Sequence, residues 1–125
     1  MRGVFGEDFS MDLVADIEID GTEVLSRRLT AASSGDNNLV AVGSGDKMKL
    51  YKALLTANAD ITGEVILKLG SVEIGGVRNP RIGGQYILLS SFPDYALGGE
   101  GDDLVVNLPG TTAVTINVSY EVIAA

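Results

Sequence analysis

The sequence predicts an all-β fold: an antiparallel β-sandwich of jelly-roll type, about nine short strands long, with an N-terminal arm and hairpin. Three observations carry this. Apolar and polar residues alternate with a period of two, most plainly where Val114, Ile116, Val118, Tyr120 and Val122 interleave with Thr115, Asn117, Ser119 and Glu121. Glycine-rich turn signals separate the alternating segments at short intervals. No βαβ rhythm runs through the chain, so strands are expected to return through turns and to stack as two packed sheets.

Residues 1–11 have no periodicity and read as an extended arm. Residues 12–125 form one domain, opened by a hairpin over 12–29. Leu13, Ala15, Ile17 and Ile19 share one face, Asp12, Asp16 and Glu18 the other, and Asp20-Gly21 supplies the turn. The return strand runs from Thr22 to about Leu29. A strict two-residue turn sets Glu18 opposite Glu23, a like-charge pair, so a bulged three-residue turn is the alternative. Ser33-Ser34-Gly35-Asp36-Asn37-Asn38 reads as a loop, Leu39 to Val42 as a short strand, and Gly43-Ser44-Gly45-Asp46 as the next turn.

Met48 and Leu50 then alternate with Lys47 and Lys49 until Lys52 breaks the parity, which calls for a bulge or a strand buried on both faces. A helix through Lys49 to Ala59 lacks an N-cap and is the lesser reading. Val65, Leu67 and Leu69 define a strand that turns at Gly70-Ser71 into a short strand over Val72 to Ile74. From Gly75-Gly76 to Gly83-Gly84 the glycines and Pro80 favour an irregular loop. Tyr86-Ile87-Leu88-Leu89 is apolar on both faces: either a central strand covered on both sides, or a strand with one face covered by another subunit. After a long loop over residues 91–103, Leu104, Val106 and Leu108 mark a strand, and Pro109-Gly110 turns into the last one.

At 125 residues the chain suits a single core, and 46% hydrophobic with 21% charged residues describes a folded domain. No apolar run approaches the ~20 residues of a membrane helix, and the acidic start carries no secretory h-region. The expectation is a soluble protein made in the cytoplasm, with no membrane partner.

Function is constrained chiefly by what is missing. The sequence contains no cysteine, so there are no disulfides or thiolate metal sites, and no histidine, the commonest general base and metal ligand. Glu100, Asp102 and Asp103 between glycines would present oxygens to Ca²⁺, as would Asp36-Asn37-Asn38, yet neither has EF-hand spacing and both read as solvated acidic turns. Carboxylate pairs for glycoside hydrolysis usually come with aromatic platforms, and the chain has no tryptophan. No strand-to-helix phosphate loop is present. Neither catalytic residues, a cofactor nor a metal is expected, and the chain is read as a non-enzyme.

The net charge of −8 opposes binding to nucleic acid. Acid is concentrated early, as Glu7, Asp8, Asp12, Asp16, Glu18, Asp20 and Glu23, while Lys47, Lys49 and Lys52 sit close together further on. Such asymmetry suits docking through complementary patches; the competing reading is a set of solvated strand faces. Ile87, Leu89, Phe92, Tyr95 and Leu97 lack an obvious interior side, so each is either an interface residue or filling for the end of its own sandwich. These five, with Lys47, Lys49 and Lys52, are the candidate oligomer or partner interface.

Over residues 30–123 the order of pieces resembles a known family. A loop and short strand precede Gly45-Asp46-Lys47-Met48-Lys49-Leu50; then come Leu67-Lys68-Leu69-Gly70-Ser71, a double-glycine loop, Phe92-Pro93-Asp94-Tyr95, Gly99-Glu100-Gly101-Asp102-Asp103 and the last two strands. This succession resembles small virion proteins of tailed bacteriophages, of the capsid decoration (cement) or head-fibre kind. The resemblance implies a homotrimeric β-sandwich on the outside of the capsid, bracing neighbouring major capsid subunits. The alternatives from other classes are a fibre module binding a receptor or glycan, and a tail or neck adaptor binding another virion protein.

Overall fold

The computed structural model describes the backbone of residues 13–19, 22–90 and 94–125 and the side chains of residues 24–90 and 94–125. The arm over 1–11, the Asp20-Gly21 turn and Phe92 lie outside the described residues. Among those described, ten strands follow one another without a helix: β1 Leu13–Ile19, β2 Thr22–Ala31, β3 Gly35–Val40, β4 Asp46–Ala57 and β5 Glu64–Leu69, then β6 Val72–Arg78, β7 Gln85–Ser90, β8 Ala96–Leu97, β9 Leu104–Leu108 and β10 Val114–Ala124. They form two antiparallel sheets. The larger is six-stranded, in the order β1-β2-β10-β4-β7 with β8 also paired to β4; the smaller is β3-β9-β5-β6.

Alternation determines which side of each strand is dry. On β10, Val114, Ile116, Val118 and Tyr120 are buried, and on β4 Met48, Leu50, Ala53, Leu55 and Ala57 are buried beside them. The smaller sheet answers with Val65, Leu67, Leu69, Leu104, Val106 and Leu108, and all join one hydrophobic cluster between the sheets. The chain is thus a β-sandwich with one core. Each fully buried aliphatic side chain contributes about 1.5–3 kcal/mol, so this shared layer dominates the stability.

The parity break at Lys52 is a bulge. Ser119 pairs with Lys52 and Tyr120 with Leu50, leaving Tyr51 as the extra residue on β4. It lets β4 bury Met48 and Leu50 before the bulge and Ala53 and Leu55 after it, on the same face. The N-terminal hairpin keeps the strict register, with Ile19 opposite Thr22 and Glu18 opposite Glu23, and its irregularity falls instead between Leu13 and Asp16.

Four expectations are corrected. The segment Gly35 to Asn38 is strand, not loop: β3 pairs Asp36 with Asn107 and Asn38 with Val105, and Asp36 and Asn38 occupy outer, exposed positions while Asn37 between them is half-buried. β6 does not stop at Ile74 but runs through Gly75 and Gly76 to Arg78. Those glycines are needed inside the strand because a Cβ on Gly75 would fall on the backbone carbonyl of Leu88, and one on Gly76 would lie 2.9 Å from the Val65 carbonyl oxygen. The long loop holds a further short strand, β8. Finally, β7 is not central; it ends the sheet, and Ile87 is 67% exposed.

Candidate interaction surface

Three strands gather the sequence-predicted interface residues along one flank of the larger sheet. β4 carries the lysines, and its far side is shared by β8, which pairs Leu97 with Lys49, and β7, which pairs Ser90 with Lys52, Leu89 with Ala53 and Ile87 with Leu54. The hydrogen bonds from Gly98 N to Met48 O at 2.9 Å and from Gly101 N to Asp46 O at 2.8 Å carry the chain onward beside β4.

Tyr95 and Lys49 meet directly. The Lys49 ammonium lies 4.7 Å from the Tyr95 ring centroid, a cation–π contact. Tyr95 in turn packs edge-on against Tyr51, with centroids 5.6 Å apart and planes at 72°. Tyr95 is 42% exposed and Leu97 52%, so both keep open apolar surface beside a cation. Lys47, opposite Ile123, is half-buried at the end of the same strand. Leu89 belongs elsewhere: it packs against the core cluster, so of its two readings the sandwich interior holds.

Beneath this flank, on the side of the sheet opposite the core, lies a pair that the sequence did not mark. Glu121 follows Tyr120 on β10 and so faces away from the core, yet it is 1% exposed. Tyr51, the bulge residue, donates to its Oε1 at 2.7 Å, while Oε2 has no hydrogen-bond partner among the described residues. In the alternation of β10, Glu121 reads as solvated alongside Thr115, Asn117 and Ser119. The donor it receives comes from the bulge residue Tyr51, which no local pattern encodes.

Further along the same outer face a shallow groove is lined by Ser26, Arg27, Lys52, Leu54, Asn117, Val118 and Ser119. The Ser26 and Ser119 hydroxyls are 3.0 Å apart across β2 and β10, while on the core side of the same strands Arg27, opposite Val118, donates to the Tyr120 hydroxyl at 3.4 Å.

The acidic segment works as a loop tie. Asp103 accepts from Val42 N at 2.7 Å and from Asn38 Nδ2 at 3.1 Å; Glu100 accepts from Gly45 N at 2.9 Å, and Asp102 from Gly99 N at 3.2 Å. Gly70, at φ +63°, donates to the Asp103 carbonyl, and a Cβ there would strike the Asp102 carboxylate. The carboxylates are thus engaged by donors from the chain itself. On the outer face of the smaller sheet Asp36 accepts from Asn107 at 2.8 Å and pairs with Lys68 at 3.0 Å, and these partners, Asn107 foremost, hold its carboxyl below the ordinary range. Asp60 is held down first by the Ile82 N–H, then by Arg81. Among the described residues no group of three or more His, Cys, Asp or Glu converges on a common point.

Comparison with protein-family models, with curated proteins and with solved structures finds no match to this chain.

Proposed function

We propose that the chain is a structural virion protein that binds the outside of a phage capsid as a trimer and stabilises it, and that its sandwich is of jelly-roll type. The strand order supports the second point. β2-β10-β4-β7 stand in one sheet and β3-β9-β5-β6 in the other, so the first and last of these eight strands are neighbours and so are the second and next-to-last. That nesting is what two Greek keys wrapped into a jelly roll produce.

The observation that carries the functional reading is the flank beside β4 where Ile87, on the sheet-ending β7, and Tyr95 and Leu97 leave apolar surface open, the last two beside Lys49. Symmetric oligomers bury such patches against copies of themselves, and an apolar centre rimmed by charge is ordinary interface anatomy. With the carboxylates of the acidic loop engaged in tying it down, rigidity and contact are the properties this chain supplies. A shell bound on its outside by such a block gains stability by mass action as sites fill.

Sedimentation equilibrium on the full chain and its addition to empty shells test the reading. A trimer that cosediments with shells and raises their melting temperature supports it. A monomer at every concentration that never cosediments overturns it.

A further inference from the structure

We infer that the outer face of the larger sheet is the docking surface and that the surface it meets is carboxylate-rich protein. As the identity of the shell-facing side, this rests on the proposed function; as an assignment of surface chemistry, it stands on the charges alone. The chain has nine cationic side chains against seventeen acids. Three of the nine, Lys68, Arg78 and Arg81, are in ion pairs with Asp36, Glu64 and Asp60, all away from this face. Four others, Arg28, Lys47, Lys49 and Lys52, stand on the outer face of β2 and β4, and Arg28, Lys47 and Lys52 have no ion-pair partner among the described residues.

Register puts them around one strip. Asn117 of β10 lies between Arg28 and Leu54, and Ser119 lies between Ser26 and Lys52, so Arg28 and Lys52 flank the groove from opposite sides. The outward residues of β10 between them, Thr115, Asn117 and Ser119, are uncharged, and the next, Glu121, is buried and held by Tyr51. Among the described side chains on the outer face of β2, β10 and β4 there are thus four cations and one carboxylate, the buried Glu121, in a protein of net charge −8, and hydroxyl and amide groups fill the strip between Arg28 and Lys52. Such segregation steers an acidic surface to this side and repels it from the others.

The test pairs R28E/K52E with R78E, which removes a similarly exposed cation from the other sheet. Amide NMR shifts are followed on adding poly-L-glutamate and, separately, heparin, over a salt series. Poly-L-glutamate should perturb residues 26–28, 52, 117 and 119, an effect lost in R28E/K52E, kept in R78E, and weakened as salt rises past about 0.1 M. No perturbation, perturbation elsewhere, or a response to heparin alone overturns the assignment. So do concentration-dependent shifts at these residues without any probe, which would make a second copy the occupant. In the shell assay R28E/K52E should bind at least tenfold more weakly and R78E within about twofold of the parent. If the parent binds shells and R28E/K52E binds equally well, this inference fails alone. If the parent does not bind shells but the glutamate response holds, the proposed function fails and the face remains.

Discussion

Tyr51 and Glu121 share a 2.7 Å hydrogen bond at a place where each is only 1% exposed, on the side of the sheet away from the main core. The bulge that inserts Tyr51 into β4 thus does two things: it restores the inward phase of Ala53 and Leu55, and it supplies the donor to a buried carboxylate oxygen. Y51F keeps the ring and removes only that donor. It should cost about 1–3 kcal/mol in urea unfolding, because the carboxylate then stays buried with neither oxygen served by a described partner. E121Q keeps an acceptor for the phenol and removes the charge, so it should cost less than Y51F. Equal stability of Y51F and the parent would show that the bond contributes nothing.

The close approach of β6 to β7 gives a second expectation. A methyl group at Gly75 meets the Leu88 carbonyl, a backbone atom that moves only if the two strands separate. G75A should therefore destabilise by about 1–3 kcal/mol, as overpacking does. Gly110 has nothing within 4 Å of its would-be Cβ, and G110A should stay within about 0.5 kcal/mol of the parent. Thermal melts of the two variants compare them directly.

Asp103 ties the acidic loop to the chain after β3, through Val42 N and Asn38. D103A leaves the Val42 amide without its acceptor, so stability should fall by roughly 1–3 kcal/mol. The local signature is faster hydrogen exchange at the Val42 amide than elsewhere in the sandwich. Uniform exchange across the molecule would place the effect in global unfolding instead.

Much of the architecture was legible because burial imposes a period. β5, and β10 as far as Tyr120, alternate cleanly, and the parity break at Lys52 called for a bulge or a strand buried on both faces. Where the chain is polar or small, the period carried less. β3 holds Asp36, Asn37 and Asn38, which favour turns in isolation, yet pairing with β9 and the Asn37 amide bonds to Ser33 O and Gly35 O hold it extended. Gly75 and Gly76 look like loop residues until the approach of a neighbouring backbone explains them. At the candidate surface, the three closely spaced lysines fall on one strand, β4, but the meeting of Lys49 with Tyr95 depends on β8 returning to β4. Glu121 was beyond reach, since its hydrogen-bond donor lies seventy positions away.

The smaller sheet supplies an acid-dependent expectation. Asp36 is stabilised as a carboxylate first by the Asn107 amide and then by Lys68, so its folded pKa lies below its unfolded one, which is about 3.9. A depressed pKa contributes stability above the unfolded value, and that contribution is lost as pH falls through the folded one. N107A removes the leading cause while sparing the 3.0 Å Lys68 pair. The Asp36 titration, followed by carboxyl ¹³C NMR, should move up toward the ordinary range in N107A, and also in K68M, which removes both the lysine's hydrogen bond and its charge. Stability measured against pH should correspondingly fall less steeply in N107A than in the parent once the solution is taken below about pH 4. An Asp36 titration left unmoved in N107A would show that the amide does not support the charged form.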